Sequence, residues 1–480
     1  MTSQKWLNET YVNKPIWWHW LWIVIPTDIK HNDFAVVLGT GDSNSHYDIS
    51  SAPKRTDVFF ISCQNIARDV GVICASLYQI PNEPLVFYND PLMKSRSEDA
   101  IVAFGWKQFS LYNSSDNFRY NWLTHFPMTK ATVKAMDTVA AFATEKYNIP
   151  TIKRFGVSGA SKRGWSAWLT AATDKRVEVM VPIVMDMPNF HPNLHHQYKA
   201  YGGWTWAFKD YYAENITQDL DDQWFAELLD ACDPYSFFDR YNERNLAKFV
   251  VDGTWDEFFM PDDEQFWWSK LEQPKYFLQN PDADHSQATA VETDIPSLTT
   301  FISAYINNIQ LPIVDWVINN ITGNITVELF GDTSKILDAV MWHGRSCGQT
   351  RRDFRMLTLD NPCLCGVPSG EYCFNAESVF VPDNSIKPIY INNTYAKYEI
   401  GISDIPNNHW EAFELGIKYR VFDRENNDDI NEEMNTDDDG STSWFLVEYG
   451  DIVFTSQISI LPFNYPFPDC QGSSCKGVLV

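Results

Sequence analysis

The stretch Lys153 to Thr173 (KRFGVSGASKRGWSAWLTAAT) constrains this chain more than any other. An apolar run ends at Ser158, a turn of Gly159, Ala160 and Ser161 follows, and an Ala- and Trp-rich helical segment begins after it. Strand, glycine turn and helix in that order make the nucleophile elbow of an α/β-hydrolase, here as G-x-S-x-x-G with Ser161 at its centre. Gly159 lets the turn pass close to the adjacent strand, and Gly164 lets the helix approach the sheet. The helix N-terminus aims its N–H groups at the serine, which makes the Lys162 N–H an oxyanion donor. Ser158 is a rival nucleophile, but it sits on the strand itself.

A nucleophilic serine needs a base, and the base needs an orienting acid. In this fold the chain order is serine, acid, histidine. In FVVDGTWDEFFMPDDEQ (249–265) an apolar strand runs into a turn and places Asp256 just past the strand end. Asp252, Asp262 and Asp263 compete for the role; the last two follow Pro261 and read as helix caps. His285, in NPDADHSQ, lies on a loop beyond the strand-like Lys275–Gln279, where a general base belongs. Ser161, Asp256 and His285 form the expected triad. The second oxyanion donor is expected from Thr40 and Gly41, in the loop after the strand Phe34–Leu38. No cofactor is implied, and no metal is expected. His191 and His195 have i,i+4 spacing but no third ligand at a helpful spacing, so they read as ordinary residues near the site mouth.

From residue 15 to about 310, strand-like segments alternate with helix-like ones. Ile16–Ile25, Phe34–Leu38, Asp57–Ile61, Gly71–Leu77, Val177–Val184 and Lys248–Val251 read as strands; Lys130–Lys146 and Arg163–Thr173 read as helices. Such alternation argues a mostly parallel sheet with helices on both faces. From 311 onward short strands are separated by Gly, Pro, Asn and Asp turns, and helical periodicity nearly vanishes. The expected division is an α/β-hydrolase domain over 1–310 and an all-β sandwich-like domain over 311–480, with an acidic loop at 423–440.

The 37 Lys and Arg against 63 Asp and Glu leave a net charge of −26. Such a surface repels phosphate backbones, so nucleic acid is excluded as a partner. No apolar run approaches the roughly 20 residues of a membrane span. Of nine cysteines, six (Cys347, Cys363, Cys365, Cys373, Cys470, Cys475) lie in the last third without zinc spacing. They predict at least two disulfides, Cys470–Cys475 first, whereas Cys63 and Cys74 read as small buried apolar residues. Disulfides, with N-x-S/T sequons at Asn8, Asn113, Asn215, Asn320, Asn324 and Asn392, point to a secreted, extracellular protein whose leader is missing from this chain.

Ten blocks carry a wider likeness: SQKW (3–6), NKPIWWHWLWIVIP, GTGDSN, IPNEPLVFYNDP, RSEDAIVAFGW, FPMTKATVKAMDTV, VSGASKRGWSAWLTAATDKRV, TWDEFFMPDD, NPDADHS and RRDFR. In this order they resemble the PhoPQ-activated pathogenicity-related protein family over almost the whole chain. The resemblance implies a catalytic part similar to the dipeptidyl-peptidase type of α/β-hydrolase, with Ser161, Asp256 and His285 as triad and an ester or peptide as substrate. It also implies an extracellular signalling role such as repressing cell proliferation. The rival reading is a non-enzymatic factor that binds a cell-surface receptor and keeps the hydrolase fold as scaffold. One departure matters: Asp42 stands where the family carries a glycine, and a carboxylate beside an oxyanion hole opposes the developing charge.

Overall fold

The structure, a computed structural model, describes residues 1–46, 51–149, 152–360, 362–422 and 449–480. Its centre is a seven-stranded sheet: β1 (Leu21–Val24), β2 (Phe34–Gly39), β3 (Ile73–Leu77), β4 (Arg154–Ala160), β5 (Val177–Ile183), β6 (Ala247–Gly253) and β7 (Lys275–Asn280). The spatial order is β7-β6-β5-β4-β2-β3-β1. All neighbours are parallel except β1, which runs antiparallel along β3. Every residue of β2, β3 and β6 is buried, as a parallel sheet covered on both faces requires.

Alternate residues of the strands feed two separate cores, the period-two signature of a sheet. Val37, Ala75, Val157 and Val250 pack with helices α2 (Asp99–Ser110), α3 (His125–Tyr147) and α4 (Lys162–Thr173). Val36, Cys74, Val181 and Val251 pack on the other face with α1 (Val58–Val70) and α6 (Val291–Ile306), whereas α5 (Phe190–Tyr201) adds Phe190 and Leu194 to the first core. A mostly parallel sheet with helices on both faces and a serine elbow after a central strand is the α/β-hydrolase fold.

After residue 311 the sheets are antiparallel. One joins Ile313–Ile318, Ile325–Phe330, Tyr395–Ile400 and Tyr390–Asn392; another is built on Ile336–Arg345 and Glu411–Arg420. They close only a small core of their own, formed by Phe354, Phe380, Trp410, Ala412, Ile458 and Ile460. Val327, Leu329, Phe413, Leu415 and Phe454 belong to the same cluster as Val179, Phe249 and Leu278 of the central sheet. The chain then returns to the hydrolase helices: the Trp204 indole N–H donates to the Cys475 carbonyl at 2.8 Å. Arg355 joins the parts, bound to Asp353 at 2.6 Å and donating to Thr205 and to the Val480 carbonyl. The acidic loop 423–440 lies outside the described residues.

Three local expectations need correction. Asp57–Ile61 is not a strand but the start of α1: the Asp57 carboxylate caps the Phe59 N–H at 3.0 Å, and Phe60, Cys63, Ile66, Ala67 and Val70 repeat at helical spacing. Ile16–Ile25 is broken into Ile16–Trp18 and β1, because His19 turns inward to Ser3 (2.8 Å) and the Tyr78 carbonyl (3.0 Å). Cys63 and Cys74 are not separate thiols. Helix α1 lies across β3 with their Cα atoms 5.4 Å apart, and they form a disulfide. Cys347–Cys365, Cys363–Cys373 and Cys470–Cys475 are the others, and Cys232 is free and buried. No helix among the described residues is long and apolar enough to cross a membrane.

Candidate active site

Ser161 sits between β4 and α4 with φ 60° and ψ −130°, a left-handed conformation few non-glycine residues adopt. Its N–H donates to the Ile183 carbonyl at 2.9 Å, and its carbonyl accepts from Trp165 at 3.1 Å, so both sides of the turn are pinned. The flanking glycines are required by space. A Cβ on Gly159 would lie 2.8 Å from the Arg163 backbone of α4, and one on Gly164 would lie 2.8 Å from the Met185 Cβ beyond β5. The neighbour that crowds Gly159 most closely is thus the following helix, not the adjacent strand.

Asp256 follows the end of β6 and is buried. Its Oδ1 accepts the N–H groups of Phe258 (2.7 Å) and Phe259 (3.0 Å), which leaves Oδ2 facing His285 Nδ1 at 2.7 Å. His285 Nε2 lies 2.8 Å from Ser161 Oγ. Residues 124 apart in sequence therefore stand in one hydrogen-bonded line at the C-terminal edge of the sheet. The His285 loop is held independently: its backbone N–H donates to Glu257 Oε2 at 3.0 Å, and the Phe258 ring lies 4.5 Å from the imidazole. Burial, with the nearby Asp256 charge adding to it, pushes the Glu257 carboxyl up to about 7.

The competing residues are engaged elsewhere. The Ser158 hydroxyl donates to the Val181 carbonyl inside the sheet at 2.6 Å. Asp252 accepts the Gly253 N–H, and Asp263 accepts the Met260 N–H. Asp262 caps nothing. It pairs with Arg352 at 2.5 Å and with His196 Nε2 at 2.8 Å.

Lys162 is the first residue of α4, so its N–H has no partner within the helix. Its side chain turns away to Glu98 (2.7 Å) and Asp99 (3.0 Å). The expectation for Thr40 is corrected: its N–H is spent on the Leu77 carbonyl at 2.8 Å, continuing the β2–β3 ladder. A Cβ on Gly41 would come 2.5 Å from the Arg163 guanidinium, so a larger residue there would displace that side chain. Asp42 has φ 83°, and its Oδ1 accepts the Ser43 N–H and lies 2.6 Å from His46 Nδ1.

Beside Ser161 opens an apolar cavity of about 50 Å³, walled by Trp106, Trp165, Phe190, Tyr211, Leu220 and Phe258. Asp99 is its carboxylate, and it accepts from the Tyr211 hydroxyl at 2.9 Å. These residues come from segments far apart in the chain, and no local pattern announces them. Glu257 carried one legible signal, its place next to Asp256.

The sequence model of the PhoPQ-activated pathogenicity-related protein family matches residues 1–355. Autocrine proliferation repressor protein A of Dictyostelium discoideum is 31% identical over 484 residues, covering 99% of this chain and 87% of that protein. Among solved structures, Est1E from Butyrivibrio proteoclasticus is 10% identical and covers 62% of this chain and 97% of its own, with a TM-score of 0.34. Acetyl xylan esterase from Paenibacillus sp. R4 is 13% identical and covers 56% and 74%, with a TM-score of 0.37. At such scores these two add nothing to what the sheet order and the elbow already say.

Proposed function

The chain belongs to the PhoPQ-activated pathogenicity-related protein family, and from that premise we propose that it is a serine hydrolase that cleaves an ester or amide through an acyl-enzyme. The observation that carries this reading is the line Ser161 Oγ–His285–Asp256, with steps of 2.8 and 2.7 Å, at the mouth of an apolar cavity. In this reading Asp256 accepts a hydrogen bond from Nδ1–H and fixes the imidazole so that Nε2 presents a lone pair to the serine. Ser161 Oγ attacks the substrate carbonyl carbon, and its proton passes to Nε2. The carbonyl oxygen becomes an oxyanion facing the N–H groups of Lys162 and Gly41. Nε2 then protonates the leaving alcohol or amine, and water repeats the sequence to release the acid. The aromatic wall favours a substrate with an apolar group next to the scissile bond.

We place the activity outside the cell, on the strength of four disulfides and of sequon residues Asn113, Asn215, Asn320 and Asn392 that are exposed. The second reading, a proliferation-repressing signal that binds a cell-surface receptor, rests on the relative of that name. One comparison separates them. A fluorophosphonate probe should label the wild type and not Ser161→Ala, and ester hydrolysis should fall by about 10³-fold or more. An unlabelled wild type refutes the hydrolase. A Ser161→Ala protein that still represses proliferation assigns the signal to a binding surface.

A further inference from the structure

His191 and His195 stand one turn apart on α5, and both point their Nε2 atoms at one oxygen. Asp221 Oδ1 lies 3.2 Å from His191 Nε2 and 3.1 Å from His195 Nε2. This is the third group that the i,i+4 spacing lacked. It is brought in by the turn that follows Thr217–Asp219, and the three ligand atoms all lie within 4.8 Å of one another. Zinc bound at about 2.0–2.1 Å in a tetrahedron separates its ligand atoms by about 3.3–3.4 Å. The two nitrogen–oxygen separations, 3.2 and 3.1 Å, match that edge to within a few tenths of an ångström.

Two further contacts fix the group as an outer shell would. His195 Nδ1 lies 2.8 Å from Asp469 Oδ1, and Asp221 Oδ2 accepts the Gly472 N–H at 2.9 Å. Metal-bound histidines ordinarily donate their second N–H to such a carboxylate. With Nδ1–H given to Asp469, a neutral His195 turns the Nε2 lone pair toward a carboxylate oxygen 3.1 Å away. A divalent cation placed between these two atoms would take the position of the proton that otherwise bridges them. Cys470 and Cys475 are close by, but they are joined in a disulfide and offer no thiolate.

We propose that His191, His195 and Asp221 bind a zinc ion, with a fourth position open to water. The site lies outside the triad but on its cavity wall. Phe190 and Leu194 of α5, and Thr217 and Leu220 beside Asp221, line the cavity next to Ser161. The ion would fasten these two wall segments to each other and, through Asp469 and Gly472, to the loop of the Cys470–Cys475 disulfide. Its role is to hold the pocket's shape, not to touch the scissile bond.

The test uses the full chain, stripped with a chelator and titrated with zinc chloride, with bound metal counted by elemental analysis. One zinc per chain is expected, with a higher thermal midpoint in the holo form. His191→Ala and Asp221→Asn should each weaken binding by at least about tenfold, and Asp469→Asn by about tenfold. His285→Ala should bind zinc as the wild type does. The His191 side chain is 48% exposed, so its loss leaves the metal-free fold intact, which the metal-free midpoint checks. No binding by the stripped wild type up to about 0.1 mM zinc overturns the proposal. Unchanged affinity in both His191→Ala and Asp221→Asn overturns it equally.

Discussion

Arg352 grips Asp262 across ninety residues of sequence, with nitrogen–oxygen distances of 2.5 and 3.1 Å. Burial alone would raise the Asp262 pKa, but Arg352 and His196 outweigh it and hold the carboxyl far below the ordinary carboxylate range. The pair separates two acids that look alike in sequence. Asp262→Asn strands a buried guanidinium and should cost about 3–5 kcal/mol of stability. Asp256→Asn should leave the thermal midpoint nearly unchanged while lowering kcat by about 10⁴. Thermal unfolding and ester kinetics on the two variants check this, and the reverse pattern would move the triad acid to Asp262.

Mild acid should stabilise the fold. Burial raises Asp294 and Glu257 to about 7, and raises Asp186, Asp252, Asp263, Glu264 and Glu414 as well. A carboxyl with a raised folded pKa binds its proton more tightly in the native state. Stability therefore falls as pH climbs from the ordinary carboxylate value through about 7. His19 and His125, lowered by burial to about 4 and about 3, act in the opposite sense, but they are fewer. The thermal midpoint should be higher near pH 5.5 than near pH 7.5. Asp294→Asn should flatten that slope; an unchanged slope would remove Asp294 from the account.

Asp42→Gly should stabilise the chain without accelerating it. The residue has φ 83°, where glycine is favoured by about 1 kcal/mol. Its carboxylate is engaged by Ser43 and His46. A shift in midpoint with unchanged kcat/KM is the expected result. A faster variant would show that the carboxylate does act on the oxyanion.

The elbow was legible because its requirements are local: two glycines, one serine and a helix start within a few residues. The order of acid and histidine after it led to Asp256 and His285, which the structure sets in line with Ser161. What could not be read was decided by distant partners. Thr40 resembles a free donor until Leu77 is placed beside it. Asp262 resembles a cap until Arg352 arrives. The start of α1 was misjudged because Asp57–Ile61 is short and apolar enough to suit a strand, while its cap and helical period extend beyond it.

A fragment ending at residue 310 should not behave as an independent domain. It would uncover Tyr276, whose ring lies 5.2 Å from that of Phe454, and would lose Phe413 and Leu415 from the core that Val179, Phe249 and Leu278 belong to. Expression of that fragment should yield insoluble or molten protein, judged by sedimentation and near-ultraviolet dichroism. A soluble fragment with a sharp unfolding transition would show that the shared core is dispensable.

That shared core also sets a timetable for synthesis. A ribosome adds about 5–20 residues per second. The lower face of the central sheet, complete once Asn280 has emerged, must wait for Phe413 and Phe454, well over a hundred residues later. For something like ten seconds or more, only the part of that face already covered by α1 and α6 is closed on the nascent chain, and Tyr276 waits for Phe454. The helices α1 and α6 thus act as the first half of a lid on the sheet, and the late strands as the second.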